Sequence, residues 1–258
     1  MLQKGMKMKW IEAITEDSVR ILKLNHGVTN AINAELLKEL ENSLGEIRND
    51  PGIAALVLTS ANEKFFSAGF DIPELYSQEV SVFNDFFRSF NRICLDLYTL
   101  PRPTVAALTG HTVAGGFILA SCCDYRFMAQ GRKLCGLNEV QIGVPVPYLA
   151  DLTLRQLVGD RAATAIMYTG ALLPAENAFQ IKFLDALVSP EELLKEAVSK
   201  ARTLGRLPQA AFQRIKTNRT AEIAAMVRQK LEEDIQTFLK MWYSEEARKR
   251  LKEAMKKF

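Results

Sequence analysis

Histidine is almost missing from this chain, with two in 258 residues. Four cysteines, Cys94, Cys122, Cys123 and Cys135, include no C-x-x-C pair, so the ligand set of a structural zinc site is not there. The thiols read instead as reduced and buried, packing as small hydrophobes. The longest apolar runs, residues 53–58 and 113–120, fall well short of the roughly 18 residues that suggest a membrane span. There is no P-loop and no dinucleotide fingerprint, which removes phosphoryl transfer and nicotinamide chemistry. Nor is there a G-x-S-x-G elbow, so His111 has no ready partner in Ser67 or Ser121 for a serine hydrolase. The net charge of +3 neither requires nor forbids a polyanion. Residues 1–9 carry Lys4, Lys7 and Lys9 without an apolar stretch or a small-residue cleavage site, so no secretory signal is expected and a cytoplasmic protein is.

At 48% hydrophobic and 24% charged, the chain can bury a full-sized core, as one large domain or a core with a small appendage. Residues 11–14 and 19–24 suggest a hairpin about Glu16-Asp-Ser18. Ile32, Leu36, Leu37, Leu40 and Leu44 have the spacing of an amphipathic helix, and so do Phe83, Phe86, Phe87, Phe90, Ile93 and Leu97. Short strands are expected at 54–59, 104–108, 125–129 and around Leu134. This alternation predicts α/β layering. Beyond Pro190 the strands stop, and helices are expected at 191–201, 209–217, 220–241 and 245–257, one bearing an apolar stripe from Leu231 to Trp242. That region could pack on its own core or on a neighbouring subunit.

Three segments can carry chemistry: Phe66-Ser-Ala-Gly-Phe-Asp71, Ala114-Gly-Gly-Phe-Ile118 and Gly136-Leu-Asn-Glu139. Glycine-bearing turns let backbone N–H groups converge on one oxygen, and a helix opening at Gly115 offers unpaired donors there. Taken alone, Gly115-Gly116 serves equally well to pack a helix closely on a strand, and the first segment reads as an ordinary strand-to-helix turn. Glu139 is the acid that such a clamp needs. Leu137, Val140, Ile142, Val144, Pro145 and Pro147 surround it with apolar groups that would raise its pKa, although an exposed loop glutamate has the same local sequence. Asp124 and Arg126 suggest an internal ion pair.

With these segments the chain resembles the crotonase superfamily of enoyl-CoA hydratases and isomerases. Asn30-Ala-Ile-Asn33, Pro103-Thr-Val-Ala-Ala107, Cys123-Asp-Tyr-Arg126 and Leu173-Pro-Ala-Glu-Asn-Ala178 add to the likeness. The resemblance implies an α/β spiral of β-β-α turns over residues 1–190 and a C-terminal helical trimerisation region over 191–258. The oxyanion hole would be the backbone N–H groups of Phe70 and Gly115. A strand from Ala68 through Asp71 to Ile72 would hold the adenine end of coenzyme A, with Val28 and Lys64 near the pantetheine or phosphates. Ile72, Leu75, Phe117 and Ile118 would wall the acyl pocket.

Hydratases of this family generally use two glutamates, and Ile118 stands in the first position, which leaves Glu139. Gly136-Leu-Asn-Glu-Val-Gln-Ile-Gly143, Leu149-Ala150 and Ser244-Glu-Glu-Ala-Arg-Lys-Arg-Leu251 resemble the mitochondrial-type Δ3,Δ2-enoyl-CoA isomerases. The implied reaction moves a cis or trans 3-double bond to trans-2-enoyl-CoA. No prosthetic group is expected, coenzyme A entering as the thioester part of an acyl-CoA substrate. A homotrimer or a hexamer of two trimers is implied, without a membrane and without nucleic acid as partner. A hydratase or other acyl-CoA lyase or hydrolase is the first rival. A non-catalytic homologue using its basic residues 248–257 on RNA or a protein is the second.

Overall fold

The computed structural model describes the backbone of residues 3–257 and the side chains of residues 8–256. Met1, Leu2 and Phe258, at the ends of the two expected regions, lie outside the described residues. The chain opens with β1 (Gln3–Lys7), β2 (Ile11–Glu16) and β3 (Val19–Leu24), an antiparallel meander whose expected hairpin turns at Asp17. β1 was not expected from its sequence. It is the terminal strand of its sheet.

Next come α1 (Ala34–Asn49), β4 (Ala55–Ser60), β5 (Phe65–Ser67), α2 (Ile72–Tyr76) and α3 (Val80–Tyr98). Asn33 caps α1 by accepting the Leu36 N–H at 3.0 Å, so Ile32 stands before the helix rather than in its first turn. Ile32 bridges instead to Phe70. The expected strand over 68–72 is not formed: β5 ends at Ser67, the chain turns, and Ile72 opens α2. The chain continues through β6 (Thr104–Leu108), β7 (His111–Val113), α4 (Gly115–Ser121), β8 (Tyr125–Ala129), β9 (Leu134–Gly136), a 3₁₀ turn (Glu139–Ile142) and α5 (Tyr148–Thr169). It ends with β10 (Leu173–Pro174), α6 (Ala175–Gln180), β11 (Ala186–Val188), α7 (Leu193–Gly205), α8 (Gln209–Trp242), α9 (Glu245–Ala254) and a final 3₁₀ turn.

Two sheets result, in the orders β1-β2-β3-β4-β6-β8-β11 and β10-β9-β7-β5. From β4 onward each pass contributes one strand to each sheet and then a helix: β4, β5 and α3; β6, β7 and α4; β8, β9 and α5. This is the expected spiral of β-β-α turns. Strand alternation divides the core. Leu22, Leu24, Leu56 and Leu58 face the main core, while Val19, Ile21, Ala55 and Val57 face the other side, which Leu193, Ala197, Val198 and Ala201 of α7 cover. Phe238, Trp242, Ala247 and Leu251 of the C-terminal helices belong to the main core of this same chain.

Two local expectations are corrected and one helix, α5, was not expected. The helices read as 209–217 and 220–241 are one, because Thr220 keeps helical geometry while its hydroxyl bonds to Lys216 O at 2.9 Å. α5 carries no single apolar stripe to betray it, since a non-helical Gly159 redirects the buried face between Leu154 and Ala163. The Asp124 carboxylate does not pair with Arg126: Asp124 meets the buried Lys216 at 2.7 Å, and Arg126 meets Asp185 at 3.1 Å while donating to the backbone O of Asp124 at 3.3 Å. All four cysteines are free and buried. Among the described residues no helix is long and apolar enough to cross a membrane.

The aromatic stripe of α3 is what receives α8, with Phe83 stacked on Trp242 at 4.4 Å and Phe87 on Phe238 at 3.9 Å. Phe87→Ala is therefore expected to lower the unfolding free energy by about 3–5 kcal/mol. Urea denaturation with an unchanged m-value measures it; a loss below about 1 kcal/mol would mean that the stack is not a main support of α8.

Candidate active site

β5, β7 and β9 lie parallel and adjacent in the smaller sheet, so their C-terminal ends face one way. The chain leaving each strand carries one of the three segments: residues 68–71 after β5, Ala114 and Gly115 after β7, and residues 137–139 after β9. Segments far apart in sequence thereby share one rim.

The first turn is tied to the approach to α1. Ile32 N–H donates to Gly69 O at 2.8 Å and Asp71 N–H donates to Ile32 O at 3.0 Å. Alternate N–H groups of an extended chain point opposite ways, so the Phe70 N–H faces away from Ile32. It donates in none of the described hydrogen bonds, and neither does the N–H of Gly115, the first residue of α4. The buried Asn30 holds the same region together, donating to Ser60 Oγ at 2.7 Å and to Phe66 O at 3.1 Å.

The two donor turns touch. Gly69 has φ +91°, and a Cβ on it would stand 3.1 Å from Gly115 N. A Cβ on Gly116 would lie 2.7 Å from Ser67 O, so this glycine does allow helix to approach strand, and Gly115 is left as the donor. Ala114 adopts φ +49°, a strained conformation for a residue with a side chain, secured by its N–H on Gly136 O at 2.9 Å.

Glu139 opens its 3₁₀ turn with 5% exposure, and its Oε2 is buried without a hydrogen-bond partner. Burial raises its pKa to about 7. It faces a cavity of about 350 Å³ also lined by Ala68, Phe70, Ile72, Gly115 and Ile118. The site thus combines two N–H donors free of described hydrogen bonds, a carboxyl with one buried oxygen unpartnered, and largely apolar walls, which suits stabilisation of an enolate beside a proton carrier.

The other expected site residues lie elsewhere. Phe117 stacks on Phe183 at 4.0 Å inside the core, because α4 turns this residue away from the cavity. Leu75 is buried beneath α2 and faces a separate groove beside Ala34 and Leu37. Neither lines the cavity. Asp71 caps α2, accepting the Glu74 N–H at 3.1 Å. Val28 is 58% exposed and Lys64 sits on an exposed loop, both outside the cavity lining. His111 Nδ1 accepts the Leu134 N–H at 3.1 Å, while Ser67 and Ser121 donate to backbone carbonyls, so no hydrogen bond joins them to it. Among the described residues no cluster of His, Cys, Asp or Glu is arranged to hold a metal ion.

Sequence reasoning did not place Phe238 and Trp242 of α8, nor Arg250, Glu253 and Ala254 of α9, in the cavity wall. The stripe from Leu231 to Trp242 was legible as apolar, but its direction depends on how α8 docks.

The enoyl-CoA hydratase/isomerase family model matches residues 14–258, and the chain belongs to that family. It is 29% identical to human mitochondrial enoyl-CoA delta isomerase 1 over 236 residues, 91% of this chain and 78% of that protein. It is 30% identical to a crotonyl-CoA hydratase of Syntrophomonas wolfei over 204 residues, covering 76% of this chain and 78% of the hydratase. The crystal structure of human mitochondrial delta3-delta2-enoyl-CoA isomerase superposes with a TM-score of 0.93 at 27% identity, covering 96% of this chain and 98% of that one. The fold is therefore of the crotonase type, and isomerases and hydratases both stand near it.

The raised pKa of Glu139 has a consequence for stability. Between the ordinary 4.5 and about 7 the folded protein holds a proton that the unfolded chain has released, so stability falls as pH rises through that window, by about 3 kcal/mol in all. Glu139→Gln keeps the neutral shape. The variant is expected to exceed wild type in unfolding free energy at about pH 8 and to match it at about pH 4. An equal difference at both pH values in urea titrations would contradict a buried, protonatable Glu139.

Proposed function

We propose that the chain is a Δ3,Δ2-enoyl-CoA isomerase acting through Glu139 alone. The observation that carries this reading is the pairing of Glu139, buried with its Oε2 unpartnered, with the apolar Ile118 on the α4 wall. The thioester oxygen would rest on the Phe70 and Gly115 N–H groups. Glu139 would take the C2 proton, the electron pair would pass into the enolate, and return of the proton at C4 would leave the double bond between C2 and C3. A carboxyl near pH 7 both accepts and returns a proton readily. Each oxyanion donor is worth about 10²- to 10³-fold and the proton carrier about 10²- to 10⁴-fold. The likeness to the human isomerase supports the assignment. Val28 and Lys64 are assigned to coenzyme A, together with the turn over Ala68, Asp71 and Ile72. A homotrimer, alone or paired, and a place in the cytoplasm go with this reading.

Hydration is the second reading, because Glu253 of α9 also lines the cavity and offers another carboxylate. Following 3-hexenoyl-CoA and crotonyl-CoA separately decides between them. Wild type is expected to migrate the double bond far faster than it adds water, with kcat/KM rising through about pH 7, and Glu139→Gln to lose about 10²- to 10⁴-fold. Dominant hydration of crotonyl-CoA, or no turnover of either thioester, would overturn the isomerase assignment.

A further inference from the structure

The turn that presents Glu139 is four residues long and has no side-chain cap at Asn138. So short a 3₁₀ turn is weak by itself, yet a proton carrier must be held to within about 0.5 Å. Its described backbone bonds are Gln141 N–H to Asn138 O at 3.0 Å, Val144 N–H to Glu139 O at 3.1 Å and Gly143 N–H to Val140 O at 3.3 Å. Two further bonds come from the Gln141 side chain. Gln141 Nε2 donates to Thr169 O at 3.2 Å and to Gly170 O at 3.0 Å, carbonyls at the end of α5 that have no helical partner. Its own carbonyl accepts from Arg250 Nη1 of α9 at 3.3 Å. Gly170 makes the room, since at φ +64° a Cβ there would stand 2.8 Å from Gln141 Cγ and 2.9 Å from Val140 Cγ1.

We propose that Gln141 is a positioning residue for Glu139, locking the turn that carries the acid onto the C-terminal end of α5. The proposal rests on the isomerase reading of the same site. Gln141 is uncharged, so replacing it moves the turn without altering the local charges. Those sharing the cavity are Arg250 and Glu253 of α9. Asp234 of α8, bonded to Tyr148 N–H at 3.2 Å, and the Asp151 and Arg155 pair of α5 face the adjoining groove. α4 presents only Gly115 and Ile118.

The test uses the full chain as wild type, Gln141→Met, Gly170→Ala and the double variant. Gly170→Ala attacks the same lock from a residue outside the cavity. Isomerisation of 3-hexenoyl-CoA is followed from about pH 5 to 9, and the Glu139 carboxyl is titrated by ¹³C NMR, assigned by its loss in Glu139→Gln. Each single variant is expected to lose about tenfold in kcat with KM within about twofold, and the double variant to lose no more than about the worse single one. The Glu139 titration is expected to move to lower pH as water reaches the loosened turn. Unchanged kcat and titration in Gln141→Met, a loss confined to KM, or fully additive losses would each overturn the proposal. If wild type does not isomerise the substrate the functional reading falls, and the carboxyl titration alone then decides: a shift supports the lock and none overturns it.

Discussion

The parallel pairing of β5, β7 and β9 is the constraint on which the site depends. The strands are only three residues long, yet their register sets Ser67 beside Thr112, Thr112 beside Cys135 and Val113 beside Gly136. Chain leaving a parallel sheet emerges at one edge, so Phe70, Gly115 and Glu139 share a rim although they lie far apart in sequence. Small residues at the rim complete the arrangement. Gly69 and Gly116 allow backbone to approach backbone at distances that a side chain would forbid. The strain at Ala114 is held by the bond to Gly136 O, which is itself part of β9.

Burial is the second physical theme, and it acts in two directions. Phe70, Ile118, Phe238 and Trp242 wall the cavity beside the buried Glu139, whose burial destabilises its ionised form and so brings its pKa to about 7. The same desolvation makes each free N–H more effective toward developing negative charge. The C-terminal helices supply much of this wall. α8 docks through its stack on α3, and α9 follows it to lay Ala247 against Gly143, at the end of the acid's turn. Stability of the C-terminal region and electrostatics of the site are thereby linked through ordinary packing.

Much of this was legible locally. β6 and β8 begin and end where alternation and turn residues place them, and the helices α1 and α3 follow their apolar spacing. Phe70, Gly115, Ile118 and Glu139 were singled out by chemistry and by family resemblance, and all four line one cavity. The failures share a cause. α5 was missed because Gly159 redirects its buried face, and α8 was split because a polar middle resembles a break. Phe117 and Leu75 were placed in the acyl wall although their side chains enter the core, and Arg126 was given the wrong carboxylate.

By itself the sequence determined the family, most of the longer helices and central strands, the glycine-bearing turns and the apolar-flanked acid Glu139. These depend on propensity, spacing and side-chain chemistry within a few residues. Only the tertiary structure decided which side of each helix faces the cavity, that α8 and α9 close it from within the same chain, and that Gln141 grips the end of α5. Those outcomes depend on rotation of whole elements about their axes and on contacts between residues far apart in sequence. Local sequence does not encode either one until the strands have paired and the helices have docked.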